Sequence, residues 1–501
     1  MSSFPRQDGA NPSRTGRWQD VLLAAVVAIL LLLAARHLPS GYSYWGDEMY
    51  SIAYSLSPRE VFWGTWVPGD VHPPLYQLLL SSWMKLFGTG EVATRLLSFL
   101  FVALALGLMA ILTAGRSLLF RLVAVCFLGS SPAFAYYGQE TRSYGMMLGL
   151  STLVTLLAMD LRAKSGGAPS KERWIFGVFA LLLSITHYFG FVWVGVLCLF
   201  QISRPTTAAE RKQGLILLAL ILIWPLIHIA LGGLISETGG SFWIDLPVPI
   251  LSTVNRAMTG LLPGLEISLQ PQRAIRWVVV GLVLLLLSWP LSQWRQSLRA
   301  SGDSVRLGVH QSNELAGLIV VFIVLVALVD LHSPMSTARN FIVLLPAMAL
   351  MLAGWSDALA ARLRGPRRLL LFTGLALLLL LQLNAAAAFV ASKAYPPADW
   401  KTLGKVLRQL DLCRDGCPSD MANTYFNYYF TGLVPLPTKP SASDPRPIVL
   451  KEANPRIAAS HRCYAPRQSG GVPVLMVPPA FTDTAALSKA GLSPCPPTKG
   501  G

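Results

Sequence analysis

Long apolar runs constrain this sequence more than any other feature. Several exceed 18 mostly apolar residues, which is enough for a helix to cross the hydrocarbon core of a bilayer. Charged residues make up only 13% of the 501 residues, about half the share in a soluble globular chain. These features exclude a soluble enzyme, a disordered chain and a disulfide-only scaffold. They predict an all-α polytopic membrane protein.

Eleven spans are predicted, each bounded by charged residues or by Gly and Pro. They cover about residues 21–38, 95–114, 119–136, 143–160, 174–186, 188–203, 214–232, 274–293, 313–331, 339–357 and 369–389. We interpret 174–203 as a tight hairpin turning at His187 and Tyr188, with one long tilted helix as the alternative. The shorter stretch 73–88 opens with two prolines and carries Lys85, so it is predicted to be an interfacial helix on the outer surface.

The basic residues are distributed unevenly along the chain. Six segments (1–20, 115–122, 161–173, 203–213, 294–312 and 358–368) hold 19 Lys and Arg against 5 Asp and Glu. The opposing loops 39–94 and 232–273 hold 4 against 8. The positive-inside rule then predicts a cytoplasmic N-terminus and an external C-terminus. The net charge of +16 is thus a topology signal, and no nucleic-acid partner is expected. A cleaved signal peptide is the alternative interpretation of the first run.

Three parts follow from this topology: a cytoplasmic tail 1–20, a transmembrane domain 21–389 and an exported C-terminal domain 390–501. The exported domain opens with an amphipathic helix whose apolar face is Trp400, Leu403, Leu407 and Leu410, and PIVL and VPVLMV are predicted strands, so it is a small α/β domain. Four of the six cysteines lie in it, at Cys413, Cys417, Cys463 and Cys495. They suit an oxidising compartment and two disulfides, with Cys413–Cys417 and Cys463–Cys495 the natural pairs and the other two pairings open.

The chemistry-bearing residues fall on the predicted outer side. Asp47 and Glu48 follow the first span, where adjacent carboxylates suit a general base or a cation site; a helix-capping Asp in a solvated loop is the alternative. His72 precedes two prolines and Tyr76 at the start of the interfacial helix, where a simple surface histidine is the alternative.

Two further groups lie on the same side. The turn YYGQETRSY carries Glu140, Arg142 and Tyr144, and a charge pair so close to hydrocarbon is a functional hypothesis, with a mutual ion pair as the alternative. His187 lies at the hairpin turn, and Arg339 starts a span, where it is a phosphate-binding candidate or a helix-end anchor. Phe242-Trp243-Ile244 is interpreted as an interfacial aromatic anchor.

Taken together, GDE after the first span, HPPLY, YYGQETRSY and RNFIVLLP resemble the GT-C glycosyltransferases. The most similar branch is family 39, the protein O-mannosyltransferase-like group that includes the aminoarabinose transferases of lipid A and the Rgt-type galacturonosyltransferases. The resemblance runs over residues 20–400. It departs from many relatives at Asn340, where they have Tyr, and at His187, a region where the aminoarabinose transferases have a Lys.

The resemblance implies the GT-C fold, with a long first outer loop carrying interfacial helices, in a bacterial inner membrane. It implies an enzyme that transfers a sugar from a polyprenyl-phosphate donor to a glycolipid, polysaccharide or protein acceptor of the cell envelope, with inversion. Lipopolysaccharide modification and protein glycosylation are both compatible with it.

The resemblance also implies a role for each candidate residue. Asp47 is the base, assisted by Glu48 or with Glu48 binding a cation. Arg142 and Arg339 hold the phosphate. His72 and Glu140 shape the sugar or acceptor site, and Tyr76, Tyr144 and His187 are further substrate-binding candidates. Any divalent cation would involve Asp47, Glu48 and His72.

Two other function classes remain as alternatives. A transporter or flippase of lipid-linked sugars is typified by inverted repeats and ionisable groups near the bilayer midplane. Here the charges lie at the outer ends of spans, and no second half of the sequence mirrors the first. A structural scaffold would have no use for charges at the membrane edge.

Overall fold

A computed structural model describes most of the chain. The described residues are 14–36, 38–40, 42–56, 72–164, 170–203, 207–231, 250–262, 304–331, 335–394, 399–413, 417–419, 429, 435–436, 441, 443, 446–450, 457, 460–467 and 474–495. The predicted span 274–293 and the Phe242-Trp243-Ile244 segment lie outside these ranges. The chain divides into two units. The first comprises Met1–Arg36, Arg59–Leu79 and Arg95–Val390, and the second His37–Pro58, Leu80–Thr94 and Ala391–Gly501.

The described residues are predominantly helical. The α-helices are α1 (Arg14–Ala35), α2 (Gly46–Leu56), α3 (Leu75–Phe87), α4 (Glu91–Leu112), α5 (Leu118–Gly129), α6 (Pro132–Tyr137), α7 (Tyr144–Ala163), α8 (Ser170–Ser184), α9 (Tyr188–Ser203), α10 (Ala208–Ala230), α11 (Ile250–Leu261), α12 (Ser304–Asp330), α13 (Leu345–Arg362), α14 (Pro366–Ala394), α15 (Trp400–Gln409) and α16 (Thr484–Lys489). Leu38–Ser40 and Ala338–Leu344 form 3-10 helices.

Seven helices among the described residues are long and apolar enough to cross a membrane. They match the predicted spans at 21–38, 95–114, 143–160, 214–232, 313–331, 339–357 and 369–389. Three more predicted spans correspond to the shorter helices α5, α8 and α9. The prediction of one continuous span over 119–136 was wrong. Ser131 caps a new helix whose first residue is Pro132, because proline has no amide hydrogen to continue the ladder of the preceding helix.

Two spans form the centre of the transmembrane bundle. In α7, 83% of the most apolar window is buried, and over Ala338–Arg362 the share is 89%, against 17% in α1, α10 and α14. Gly145 and Gly149 in α7 allow close packing on α4, since a Cβ at either position would lie 2.8 Å from a backbone oxygen of Ser98 or Phe101.

Residues 170–203 form two helices that break at 185–187. Arg173 near the start of α8 and Gln201 near the end of α9 line one cavity, so these two ends lie side by side. This is the predicted hairpin, and the alternative of one long helix is wrong.

The second unit contains a small mixed domain. Strands β3 (Ile448–Leu450), β4 (Arg462–Pro466), β5 (Val474–Val477) and β6 (Leu492–Pro494) form an antiparallel sheet in the order β3-β5-β4-β6. A second, parallel pair joins β1 (Cys417–Pro418) and β2 (Pro435–Leu436). Disulfides link Cys413 to Cys417 and Cys463 to Cys495. The buried face of α15 includes Trp400, Leu403 and Leu407, as its amphipathic pattern predicts.

Candidate active site

In the first unit, the residues before α3 and the turn before α7 meet. The Nη2 of Arg142 lies 3.5 Å from Nε2 of the half-buried His72. The amide of Leu75 donates to the carbonyl of Ile185 at 3.2 Å, which ties the start of α3 to the hairpin turn. His72 and Arg142 are therefore in contact just before α3, close to the turn between α8 and α9.

Tyr76 is linked by hydrogen bonds to the turn before α7. Its hydroxyl is fully buried and shares a hydrogen bond of 3.1 Å with the hydroxyl of Ser98. Ser98 in turn donates to the backbone carbonyl of Arg142 at 3.2 Å. Tyr76 thus acts on the backbone that carries Arg142, and Ser98, which the sequence does not single out, is the link.

Tyr144 lies at the centre of the cluster. The guanidinium carbon of Arg142 lies 6.0 Å from the ring centroid of Tyr144, and that of Arg339 lies 5.5 Å from the same centroid. The His187 ring is 5.7 Å from it. Two guanidinium groups therefore lie beside one ring, and the buried Glu140 shares the turn with Arg142. Guanidinium groups are strong charge-assisted hydrogen-bond donors to anions such as phosphate.

His187 completes the cluster. Its ring is buried and makes an edge contact with His72, with centroids 5.2 Å apart. Nδ1 accepts a hydrogen bond from the amide of Phe189 at 3.2 Å, so in the neutral ring the proton lies on Nε2. The turn between α8 and α9 therefore aims a hydrogen-bond donor of His187 into the cluster.

Glu140 lies in the turn that precedes α7 and is fully buried. Its backbone carbonyl accepts from the amide of Arg142 at 2.8 Å, which makes the turn tight. Gln139, also fully buried, donates from Nε2 to the carbonyls of Ala34 at 2.6 Å and Ala135 at 3.1 Å. The turn is thereby anchored to α1, and Gln139 is an anchor that the motif contained but sequence reasoning passed over.

A carboxylate hub holds the segment before Arg339. Asp330 ends α12, and its Oδ1 accepts from the amides of Met335 and Ser336 at 3.0 Å each. Its Oδ2 accepts from the hydroxyl of Thr253 at 2.7 Å and from the hydroxyl of Ser336. An acidic residue at the end of a predicted span, such as Asp330, can be noticed in the sequence. The sequence does not reveal its hydrogen-bond partners.

Close packing fixes the 3-10 helix that carries Arg339. A Cβ on Gly260 of α11 would lie 2.0 Å from the carbonyl oxygen of Ala338, so only glycine fits there. From the other side, Ser151 of α7 donates to the carbonyl of Val343 at 2.5 Å. Arg339 is thus held to the same helix, α7, that presents Tyr144.

Asp47 and Glu48 lie in the second unit, in the first turn of α2. Glu48 is buried, and its Oε2 accepts from the amide of Trp45 at 3.3 Å, so this carboxylate caps its own helix. Asp47 is half-buried. Both carboxylates lie in the first turn of the helix, where the backbone dipole favours negative charge.

The loop before Asp47 is fastened to the tail within the same unit. The hydroxyl of Tyr429 accepts from the amide of Tyr44 at 2.7 Å and donates to Oε1 of Glu91 at 3.1 Å. The ammonium of Lys401 lies 3.1 Å from the same Glu91 oxygen, and its amide donates to the hydroxyl of Ser43 at 3.3 Å. Tyr429 and Glu91 are positioning residues that the sequence does not reveal.

Within the described ranges, no group of three or more His, Cys, Asp or Glu side chains could hold a metal ion. Of the sequence-predicted residues, His72, Tyr76, Glu140, Arg142, Tyr144, His187 and Arg339 all belong to the first unit. Hydrogen bonds and ring contacts join all of these except Glu140 into one network, and Glu140 shares the turn with Arg142.

No protein-family model matches this chain, and no curated protein sequence does. Two solved structures share its fold: ArnT from Cupriavidus metallidurans in the apo state, and ArnT from the same organism bound to undecaprenyl phosphate. Each has a TM-score of 0.56 over 93% of this chain and 98% of the other, at 14% sequence identity.

Proposed function

We propose that this multi-pass membrane protein, whose fold is the GT-C fold predicted from its sequence, is a glycosyltransferase. Its donor is a polyprenyl-phosphate sugar and its acceptor is a hydroxyl group at the outer face of the membrane. One observation carries the proposal: Arg142 and Arg339 flank a single tyrosine beside two histidines. The fold neighbour bound to undecaprenyl phosphate supports a donor of this chemical class.

The reaction is a displacement at the anomeric carbon. Asp47 accepts the proton of the acceptor hydroxyl, and the oxygen forms a bond to the anomeric carbon on the face opposite the phosphate. The bond between that carbon and the phosphate oxygen breaks, and polyprenyl phosphate leaves with the electron pair. The configuration at the anomeric carbon is therefore inverted.

The phosphate is the group whose charge grows during the step. Arg142 and Arg339 stabilise it through charge-assisted hydrogen bonds, which are strongest where water is excluded. His72 and the Nε2 hydrogen of His187 complete the lining on the sugar side. Glu140 offsets one guanidinium charge, so that the site attracts a phosphate without holding the product too tightly.

Orientation follows from the charge pattern of the loops. The turn 136–144 and the hairpin turn at His187 are placed on the side opposite the basic segments, so the site opens to the periplasm of a bacterial inner membrane. The C-terminal domain 390–501 is exported on the same side.

The test is transfer of sugar from polyprenyl-phosphate donors by the purified full chain. We expect Asp47→Asn to lower kcat by about 10²–10⁴-fold, the usual contribution of a general base. The matched control is Asp411→Asn, an exposed aspartate of the tail whose left-handed backbone (φ 51) asparagine also tolerates.

The phosphate role is tested separately. Arg142→Lys and Arg339→Lys keep the charge but lose the bidentate fork, so each should raise the KM for the donor by about tenfold or more. Full activity in Asp47→Asn would refute the base assignment. Donor movement across the bilayer without any sugar transfer would refute the glycosyltransferase and favour a flippase.

A further inference from the structure

A cavity lies in the first unit, apart from the candidate active site, among the ends of α7, α8, α9 and α10. Its volume is ≈ 140 Å³. It is placed on the side of the bundle that carries the basic loops, so the predicted topology assigns it to the cytoplasmic leaflet. None of the residues that line it belongs to the candidate active site.

Most of the cavity wall is apolar, and part of it faces outward. Trp174 and Val178 of α8 and Ile216 of α10 line it and are 57%, 52% and 42% exposed. Leu181 and Leu217 extend the same wall along the two helices. In a membrane protein, exposed apolar side chains at this depth contact lipid, so the cavity opens toward the bilayer.

The other end of the cavity is basic. Arg162, Lys164 and Arg173 line it, with Glu210 as the one carboxylate among the lining residues. Around it, the segments 160–164, 170–173 and 207–213 hold six Lys and Arg against three Asp and Glu. Glu314 of α12, whose Oε1 lies 3.6 Å from Nε of Arg162, adds a fourth carboxylate, so the polar end carries six basic side chains against four acidic ones, directly beside the apolar wall.

The basic side chains are held in place before any ligand arrives. Arg173 donates from Nε to Oε1 of Gln213 at 2.7 Å and from Nη1 to Oε1 of Glu210 at 3.3 Å. The guanidinium of Arg162 lies 4.5 Å from the ring centroid of Phe200. Such preorganisation lowers the entropy that a ligand must overcome on binding.

Lys164 is held charged by its neighbours. Partial burial alone would lower the pKa of Lys164, but hydrogen bonds from its ammonium to Glu172 and Asp160 outweigh burial and raise the pKa. The ammonium lies 2.9 Å from Oδ2 of Asp160 and also contacts Glu172. The ammonium of Lys164 is thus held at the edge of the cavity by two carboxylates.

We infer that this cavity binds a phospholipid with an anionic head group. The phosphate lies against Arg162, Lys164 and Arg173, and an acyl chain follows the wall formed by α8 and α10. A free anion would leave the apolar wall unfilled, and a neutral lipid would gain nothing from the excess of positive charge. This site is independent of the glycosyltransferase proposal.

Gly177 offers a clean way to close the cavity. It lines the cavity wall in α8, and a Cβ there would meet no atom within 4 Å. Gly177→Leu fills this space and replaces glycine by a better helix former, so the chain still folds. Gly195→Leu in α9 is the matched control, because a Cβ at Gly195 also meets nothing within 4 Å, while Gly195 is not a lining residue.

The charge is tested with a second pair of variants. Arg173→Gln removes a charge that lines the cavity, and Arg211→Gln removes an exposed charge of α10 that does not. The purified full chain is titrated in detergent with phosphatidylglycerol and with phosphatidylcholine, and bound lipid is counted by native mass spectrometry. Inorganic phosphate is the third probe.

We expect phosphatidylglycerol to bind the wild type more tightly than phosphatidylcholine does. Gly177→Leu and Arg173→Gln should each weaken it by about tenfold or more, while Arg211→Gln weakens it by no more than about fivefold and Gly195→Leu leaves it unchanged. Equal retention of phosphatidylglycerol by Gly177→Leu and Gly195→Leu would overturn the inference. So would competition by millimolar inorganic phosphate, which would indicate a simple anion site.

Discussion

The hydroxyl of Tyr429 gives the sharpest test of how the tail supports the loop that carries Asp47. Tyr429→Phe keeps the ring, whose centroid lies 6.2 Å from that of Tyr44, and removes one oxygen. That oxygen accepts the amide of Tyr44 at 2.7 Å and donates to Glu91 at 3.1 Å, at a residue that is 5% exposed. The substitution therefore deletes two buried hydrogen bonds without creating a large cavity.

The free-energy cost of Tyr429→Phe follows from the type of each hydrogen bond that it removes. Leaving a buried amide donor without its acceptor costs about 1–3 kcal/mol, and losing a hydrogen bond to a carboxylate costs about 1.5–3 kcal/mol. Glu91 keeps its contact with Lys401, which favours the lower half of the second range. We expect the loss of both hydrogen bonds to cost about 3 kcal/mol. The equilibrium constant for local opening of the loop at Tyr44 should then rise about a hundredfold.

Hydrogen exchange measures this opening directly. The Tyr44 amide should exchange about a hundredfold faster in Tyr429→Phe, because its protection reflects the free energy of local opening. Tyr464→Phe is the control: Tyr464 is another buried tyrosine of the second unit, and its hydroxyl has no hydrogen-bond partner among the described residues. Exchange at Tyr44 within threefold of wild type in Tyr429→Phe would refute the reasoning.

Three other predictions concern stability. Asp330→Ala removes both acceptor oxygens and all four of their hydrogen bonds, so it should lower the free energy of unfolding by about 3 kcal/mol or more, seen as a lower melting temperature in detergent; an unchanged melting temperature would contradict this role of Asp330. Gly260→Ala should cost about 1–3 kcal/mol by overpacking and raise the donor KM, whereas Gly317→Ala, where a Cβ meets nothing within 4 Å, should be neutral or stabilising. Removing the Cys463–Cys495 disulfide, whose cysteines are 32 residues apart, should destabilise the tail by about 4 kcal/mol. Removing the Cys413–Cys417 disulfide, whose cysteines are 4 residues apart, should cost about 2 kcal/mol. Equal losses of stability in chemical denaturation would contradict the loop-entropy account.

The predicted spans agree well with the helices because the signal is local. A run of apolar residues long enough to cross a bilayer has few alternatives, since every backbone polar group must be satisfied within the segment. The wrong prediction of one continuous span over 119–136 also has a local cause. Hydropathy averages over Ser130, Ser131 and Pro132, although the proline ends one helix and begins another.

The tail shows the limit of pattern reasoning. The apolar runs at 448–450 and 474–477 are strands, as predicted, but β4 and β6 are short and mix polar residues and prolines with apolar ones. Both pair in the sheet because a neighbouring strand offers hydrogen bonds. Strand formation depends on such partners more than on intrinsic propensity.

The sequence by itself determined the class of protein, the extent of most spans, their predicted orientation and the motifs that contain the candidate site residues. Each of these depends on residues that are neighbours along the chain, through hydrophobic length, loop charge or helix-breaking residues. Only the tertiary structure decided that Arg142 and Arg339 flank Tyr144, that Asp330 reaches Thr253 across 77 positions, and that Tyr429 holds Tyr44 across 385. Such contacts form because packing buries polar groups that must then find partners, and the partner is chosen by the fold, whatever its distance in sequence.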